Sequence, residues 1–96
     1  MKIRREGGDV RVTQWYGMRV RIPYASIQSV EPLERTVWWR GIGAHGWAGH
    51  WTVNTRFRPA VRITIDPPAR GRLLGFPVKV RVLDLAPARV EDIRGG

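Results

Sequence analysis

Apolar and polar residues alternate with a period of two along most of this chain, and that period predicts strands. Val10-Arg11-Val12-Thr13-Gln14-Trp15 alternates, and so does Met18-Arg19-Val20-Arg21-Ile22. Gly17 between them suits a tight turn, so the two runs read as a β-hairpin. Pro23-Tyr24-Ala25-Ser26 breaks the pattern as a single helical turn. Ile27-Gln28-Ser29-Val30-Glu31 resumes it and is expected to stop at Pro32. Further strands are predicted over Trp51 to Phe57, Val61 to Ile65 and Val78 to Leu85. Asp66-Pro67-Pro68 is expected to end the second of these. Pro87-Ala88-Arg89-Val90-Glu91-Asp92-Ile93 alone has helical character, with Pro and acids placed as at a helix start. Gly95-Gly96 would stop it after about two turns.

Two stretches lack a period. Leu33 to His50 holds Trp38, Trp39, Trp47 and four glycines. Arg70-Gly71-Arg72-Leu73-Leu74-Gly75 is expected to separate the last two strands. The predicted fold class is therefore mainly β: a small antiparallel barrel or sandwich of six to seven strands with a short C-terminal helix. The chain has 96 residues, 43% of them hydrophobic. That suffices for a single domain over 1–96, with its core at about 10–94. No repeat or low-complexity linker divides it.

Charge sharpens the picture. Seventeen Lys and Arg stand against eight Asp and Glu, a net +9, and all but Lys2 and Lys79 of the cations are Arg. The outward strand positions are Arg11, Arg19, Arg21, Arg62, Lys79 and Arg81. No acid is expected to join them: Glu6 and Asp9 precede the first strand, Glu31 and Glu34 follow the third, Asp66 follows the fifth, Asp84 lies near the end of the last strand, and Glu91 and Asp92 are in the tail. Ordinary solvent faces account for such a pattern. A continuous cationic surface for headgroups, nucleic acid or an acidic protein accounts for it too, and basic edge strands also resist edge-to-edge aggregation.

Candidate chemistry is sparse. There is no cysteine, so disulfides, thiolate metal sites and thiol nucleophiles are excluded. Gly41-Ile42-Gly43-Ala44-His45-Gly46 has the letters of a dinucleotide-binding loop, but a strand follows it where a helix is needed to hold the pyrophosphate. His45 and His50 are five apart and lack further ligands close in sequence, so no metal site is expected. Ser26 and Ser29 lack a nucleophile-elbow context. Glu91-Asp92 is explained by helix-start electrostatics. No catalytic residue and no cofactor is expected, and the chain reads as a non-enzyme. Trp38 and Trp39 are adjacent, so in an extended segment they point to opposite sides. One of them, beside Arg40, is then placed to stack on a base, enter a membrane interface or anchor a protein contact. The N-terminus lacks the apolar stretch of a signal peptide, and no apolar run reaches the roughly 18 residues of a membrane span. A cytoplasmic protein is expected, with peripheral attachment to the inner membrane surface as a variant.

The order of pieces resembles a family. Ile22-Pro23-Tyr24-Ala25-Ser26-Ile27-Gln28-Ser29-Val30-Glu31 is similar to the segment of bacterial pleckstrin-homology-like domains in which a strand passes through a short turn into I-x-S-V-E. Arg40-Gly41-Ile42-Gly43 with Gly46-Trp47 and Gly49 resembles the glycine-rich stretch that follows there. Val78 to Leu85 with Ala86-Pro87 and Val90-Glu91-Asp92-Ile93 resembles the last strand and terminal helix. The resemblance covers residues 10–94. It implies a bent seven-stranded antiparallel barrel plugged by the C-terminal helix, no enzymatic activity, and homo-oligomers in some members. Specific phosphoinositide binding does not carry over, because the first hairpin turn, Gln14-Trp15-Tyr16-Gly17, holds no basic cluster. The expected function is a non-catalytic interaction module for protein partners or anionic surfaces, self-associating where the short helix leaves the barrel end open. The alternative is a small basic nucleic-acid binder. The expected site residues are Arg11, Arg19, Arg21, Arg62, Lys79, Arg81, Trp38, Trp39 and Arg40.

Overall fold

A computed structural model describes residues 2–14, 17–33, 43–47, 49–54 and 59–94. Eight strands and one short helix are present among them. β1 (Lys2–Glu6), β2 (Asp9–Thr13) and β3 (Met18–Pro23) form an antiparallel meander. A 3-10 turn over Tyr24–Ser26 leads into β4 (Ile27–Leu33). β5 (Gly43–Trp47) and β6 (His50–Asn54) form a second hairpin. Two long strands follow, β7 (Ala60–Leu73) and β8 (Phe76–Ala86), and the helix α1 (Val90–Arg94) ends the fold.

The strands run in the order β1-β2-β3-β7-β8-β6-β5, with β4 on β7 off that path. The mainly-β class and the short C-terminal helix are thus as expected. Eight strands fall among the described residues rather than six to seven, because charged Lys2–Glu6, with only Ile3 apolar, and Gly43–Trp47, in the stretch without a period, also form strands. No pairing joins β1 to β5 among the described residues, so the sheet stays open. One pairing departs from the antiparallel expectation: β6 runs parallel to β8, His50 opposite Val82 through Asn54 opposite Ala86.

β7 organises the sheet by serving two neighbours on one edge. Its first half pairs with β4, from Ala60 opposite Leu33 to Ile65 opposite Ile27. Its second half pairs with β3, from Arg70 opposite Arg21 to Leu73 opposite Met18. Asp66-Pro67-Pro68 lies between these two pairings and does not end the strand. There the register against β8 slips, from Thr64 opposite Val82 to Ala69 opposite Val80. Proline donates no N–H, so it fits where the ladder is interrupted. The Arg70–Gly75 stretch therefore belongs mostly to β7 rather than separating two strands. Pro32 likewise does not stop β4, an edge strand that tolerates it.

The slip changes which side chains of β8 go inward. Val80 is buried in the first half, then Leu83 and Leu85 in the second. Five residues of one strand oppose two steps of the other, so the parity of the buried face switches between Val80 and Leu83.

One cluster forms the core: Val10, Val12, Met18, Val20, Ile22, Val30, Val53, Val61, Ile63, Ile65, Ala69, Val80, Leu83, Leu85, Ala88 and Ile93. Ile93 anchors α1, which packs on β4 and β1. The helix has five residues rather than two turns. The Asp92 carboxylate accepts the Arg89 N–H at 2.8 Å and so caps its start. Gly71 lets β3 and β7 approach. A Cβ there would lie 2.8 Å from the Arg19 carbonyl oxygen and 3.1 Å from Val20 Cγ2. No described helix is long and apolar enough to cross a membrane.

Candidate functional site

Antiparallel register places directly opposed residues on one face of a sheet. Arg4 lies opposite Arg11, Arg11 opposite Arg21, Arg21 opposite Arg70, and Arg70 opposite Lys79. Five consecutive strands thus contribute five cations to one straight row. At the usual strand spacing the row spans about 19 Å. One step along the strands on the same face lies a second row: Lys2, Thr13, Arg19, Arg72 and Pro77. The row between them, Ile3, Val12, Val20, Gly71 and Val78, faces the core side. Together the two basic rows border an open groove of about 1250 Å³ lined by Lys2, Arg11, Arg19, Arg21, Arg70, Arg72 and Lys79 among others.

Carboxylates reach only one margin of this face. Glu6 approaches Arg4 at 3.7 Å and Arg11 at 3.8 Å. Asp9, nearly buried, accepts a hydrogen bond from Arg21 Nε. Glu6 and Asp9 are register partners, one step beyond the five-cation row. Lys2, Arg19, Arg70, Arg72 and Lys79 have no carboxylate within 4.0 Å among the described residues. Directly opposed like charges cost roughly 0.2–1 kcal/mol each, so the unpaired half of the face works against the fold that presents it.

The expected site residues divide accordingly. Arg11, Arg19, Arg21 and Lys79 come together on this face. Arg70 and Arg72 belong with them and were missed, because a Gly- and Arg-rich run after two prolines reads as a loop. Arg62 does not join. It sits in a row with Glu31 on one side and Asp84 on the other, which corrects the expectation that no acid stands among the outward positions. Its guanidinium forks onto Asp84, Nε to Oδ1 at 2.8 Å and Nη2 to Oδ2 at 3.1 Å. The hydrogen bond to Asp84 raises the Arg62 pKa, burial opposes this, and the charges of Asp84 and Glu31 add to the rise. Arg81 falls in the register slip, where its aliphatic stem lies across Gly49 and its N–H donates to the Gly49 carbonyl at 2.8 Å. Trp38, Trp39 and Arg40 lie outside the described residues.

His50 donates from Nε2 to Asp84 Oδ2 at 2.8 Å. Asp84 is 2% exposed and is held by two cationic or protonatable partners, so this cluster is a structural ion network. Neither the basic groove nor a smaller cavity beside Arg5 and Glu91 includes any of its residues. Among the described residues no three His, Cys, Asp or Glu side chains group as metal ligands.

Fold and site together define a small mainly-β protein with a cationic sheet face. Comparison with family models, with curated proteins and with solved structures gives no match.

Proposed function

We propose that this chain is a non-catalytic interaction module, of the pleckstrin-homology-like type its sequence resembles, that docks an anionic partner on the sheet face spanning β1, β2, β3, β7 and β8. The observation that carries this reading is the five-residue row Arg4, Arg11, Arg21, Arg70 and Lys79. A solvent face needs charge, but not one sign in register on five strands. Interspersed acids would solvate it as well and would remove the repulsion. Arg also forks onto phosphate and carboxylate oxygens, which suits an extended anion better than a point charge would. The groove is open, so it fits a surface or a polymer rather than an enclosed small molecule.

Retention on heparin, read as the salt concentration needed for elution, tests this. Arg19→Glu with Arg72→Glu is expected to elute at much lower salt than the parent. Arg89→Glu with Arg94→Glu makes the same change in net charge near α1 and is expected to shift elution little. Equal shifts for the two pairs would mean that only net charge matters, and the face would lose its role.

A further inference from the structure

The hairpin joining β7 and β8 turns on Leu74 and Gly75, with φ of 50° and 86°. Two positive φ values in a two-residue loop match the turn that favours Asn-Gly or Asp-Gly. A leucine stands in the first place, in a conformation that its Cβ disfavours. Its N–H donates to the Gly17 carbonyl at 3.1 Å, and its Cδ2 lies over the Gly17 Cα. That contact does not bury it. Leu74 is 71% exposed and Phe76 is 73% exposed, well above any other large apolar side chain among the described residues. Neither turn chemistry nor the core explains two exposed apolar side chains at one hairpin turn.

The tip adjoins the unpaired part of the cationic face. Arg72 precedes Leu74 by two residues and lies opposite Arg19, while Phe76, the register partner of Leu73, lies on the other face, so the turn closes the end of the sheet. We propose that this tip enters the interface of an anionic lipid bilayer, with Leu74 and Phe76 at the acyl boundary and Arg19 and Arg72 among the headgroups. This rests on the cationic-face reading and adds to it the class of partner. The dimensions agree. Each headgroup layer is roughly 5–8 Å thick, and two strand residues advance about 7 Å. A tip at the acyl boundary therefore leaves Arg72 and its register partner Arg19 at phosphate depth, and their stems can lie along apolar surface while their charges stay out. A nucleic-acid backbone in the groove would leave Leu74 in water at the groove's end, where an aliphatic side chain has no base to stack on.

Flotation with phosphatidylcholine vesicles, with and without phosphatidylserine, tests the proposal on the full chain. The parent is expected to float only with the anionic vesicles. Leu74→Asn with Phe76→Thr is expected to lower that partition by about tenfold or more while heparin elution stays at the parent's salt concentration. Asn suits the turn, so a thermal melt at or above the parent's separates lost insertion from lost folding. Arg19→Glu with Arg72→Glu is expected to lose both vesicles and heparin. Unchanged vesicle binding by the tip variant would overturn the insertion and leave the cationic face standing. An oligonucleotide bound by a parent that ignores anionic vesicles would overturn it in favour of nucleic acid. A parent that holds neither heparin nor vesicles would end both readings.

Discussion

Arg70 and Lys79 stand directly opposite each other on β7 and β8, and neither has a carboxylate within 4.0 Å among the described residues. Their repulsion is a cost built into the fold, and salt screens it over about a Debye length. The melting temperature is expected to rise by a few degrees between low and physiological ionic strength. Arg70→Thr is expected to stabilise the protein by about 0.5 kcal/mol at low salt, with a smaller gain when salt is added. Calorimetry across a salt series checks both. A parent that melts lower in salt would show that these cations are neutralised within the molecule.

Asp84 is the converse case. Its carboxylate lies buried under Arg62 and His50, and both partners are part-exposed. Asp84→Asn removes the charge that both partners approach and leaves Arg62 without its fork, at an expected cost of about 2 kcal/mol. Urea unfolding at neutral pH measures it. Arg62 has a pKa raised in the folded state. Its contribution is therefore complete below the range where an unfolded guanidinium deprotonates, and is lost only as pH rises through the higher folded value. The part of the difference between parent and Arg62→Gln that stems from this guanidinium's own ionisation should stay flat across the neutral range and vanish only in strong alkali.

At Gly71, opposite Val20, β3 leaves no room for a side chain on β7. Gly71→Ala would set a methyl group 2.8 Å from the Arg19 carbonyl oxygen and 3.1 Å from a Val20 methyl. Backbone cannot yield as a flexible side chain can, so the substitution is expected to cost about 2 kcal/mol. The same strands present Arg19, Arg70 and Arg72, and heparin elution of the refolded variant should fall with them. A variant as stable as the parent would contradict the crossing geometry.

Thr52 is 2% exposed, and its hydroxyl oxygen has no hydrogen-bond partner among the described residues. Thr52→Val exchanges an unsatisfied polar atom for a methyl group of similar size. It is expected to stabilise the protein by about 1 kcal/mol. A destabilised variant in urea would reveal a partner for that oxygen.

Residue periodicity carried the strands that alternate cleanly. Val10 to Thr13 and Met18 to Ile22 fold as the expected hairpin arms, Val61 to Ile65 and Val78 to Leu85 lie in strands, and Val90 to Ile93 begins a helix. Alternation says which side of a strand meets oil, because the pleat is local. It does not say which strand lies alongside, and the site depends on that. Arg70 and Arg72 gain their place only through pairing with β3 and β8, and a proline pair directly before them reads as a stop. Arg62 looks like any outward cation until β8 brings Asp84 beside it. β1 escaped notice because an edge strand with one apolar residue carries almost no period. The three residues Trp38, Trp39 and Arg40, singled out for their aromatic density, lie outside the described part of the chain.

The slip between Val80 and Leu83 gives β8 a phase as well as a sequence. Upstream of it the apolar side chains that meet the core, Val78 and Val80, are even-numbered, and downstream Leu83 and Leu85 are odd-numbered. With the slip against β7 kept in place, removing one residue at Val82 would either drive Lys79 inward or turn Leu83 and Leu85 outward. The length of this segment is thus held to the single residue.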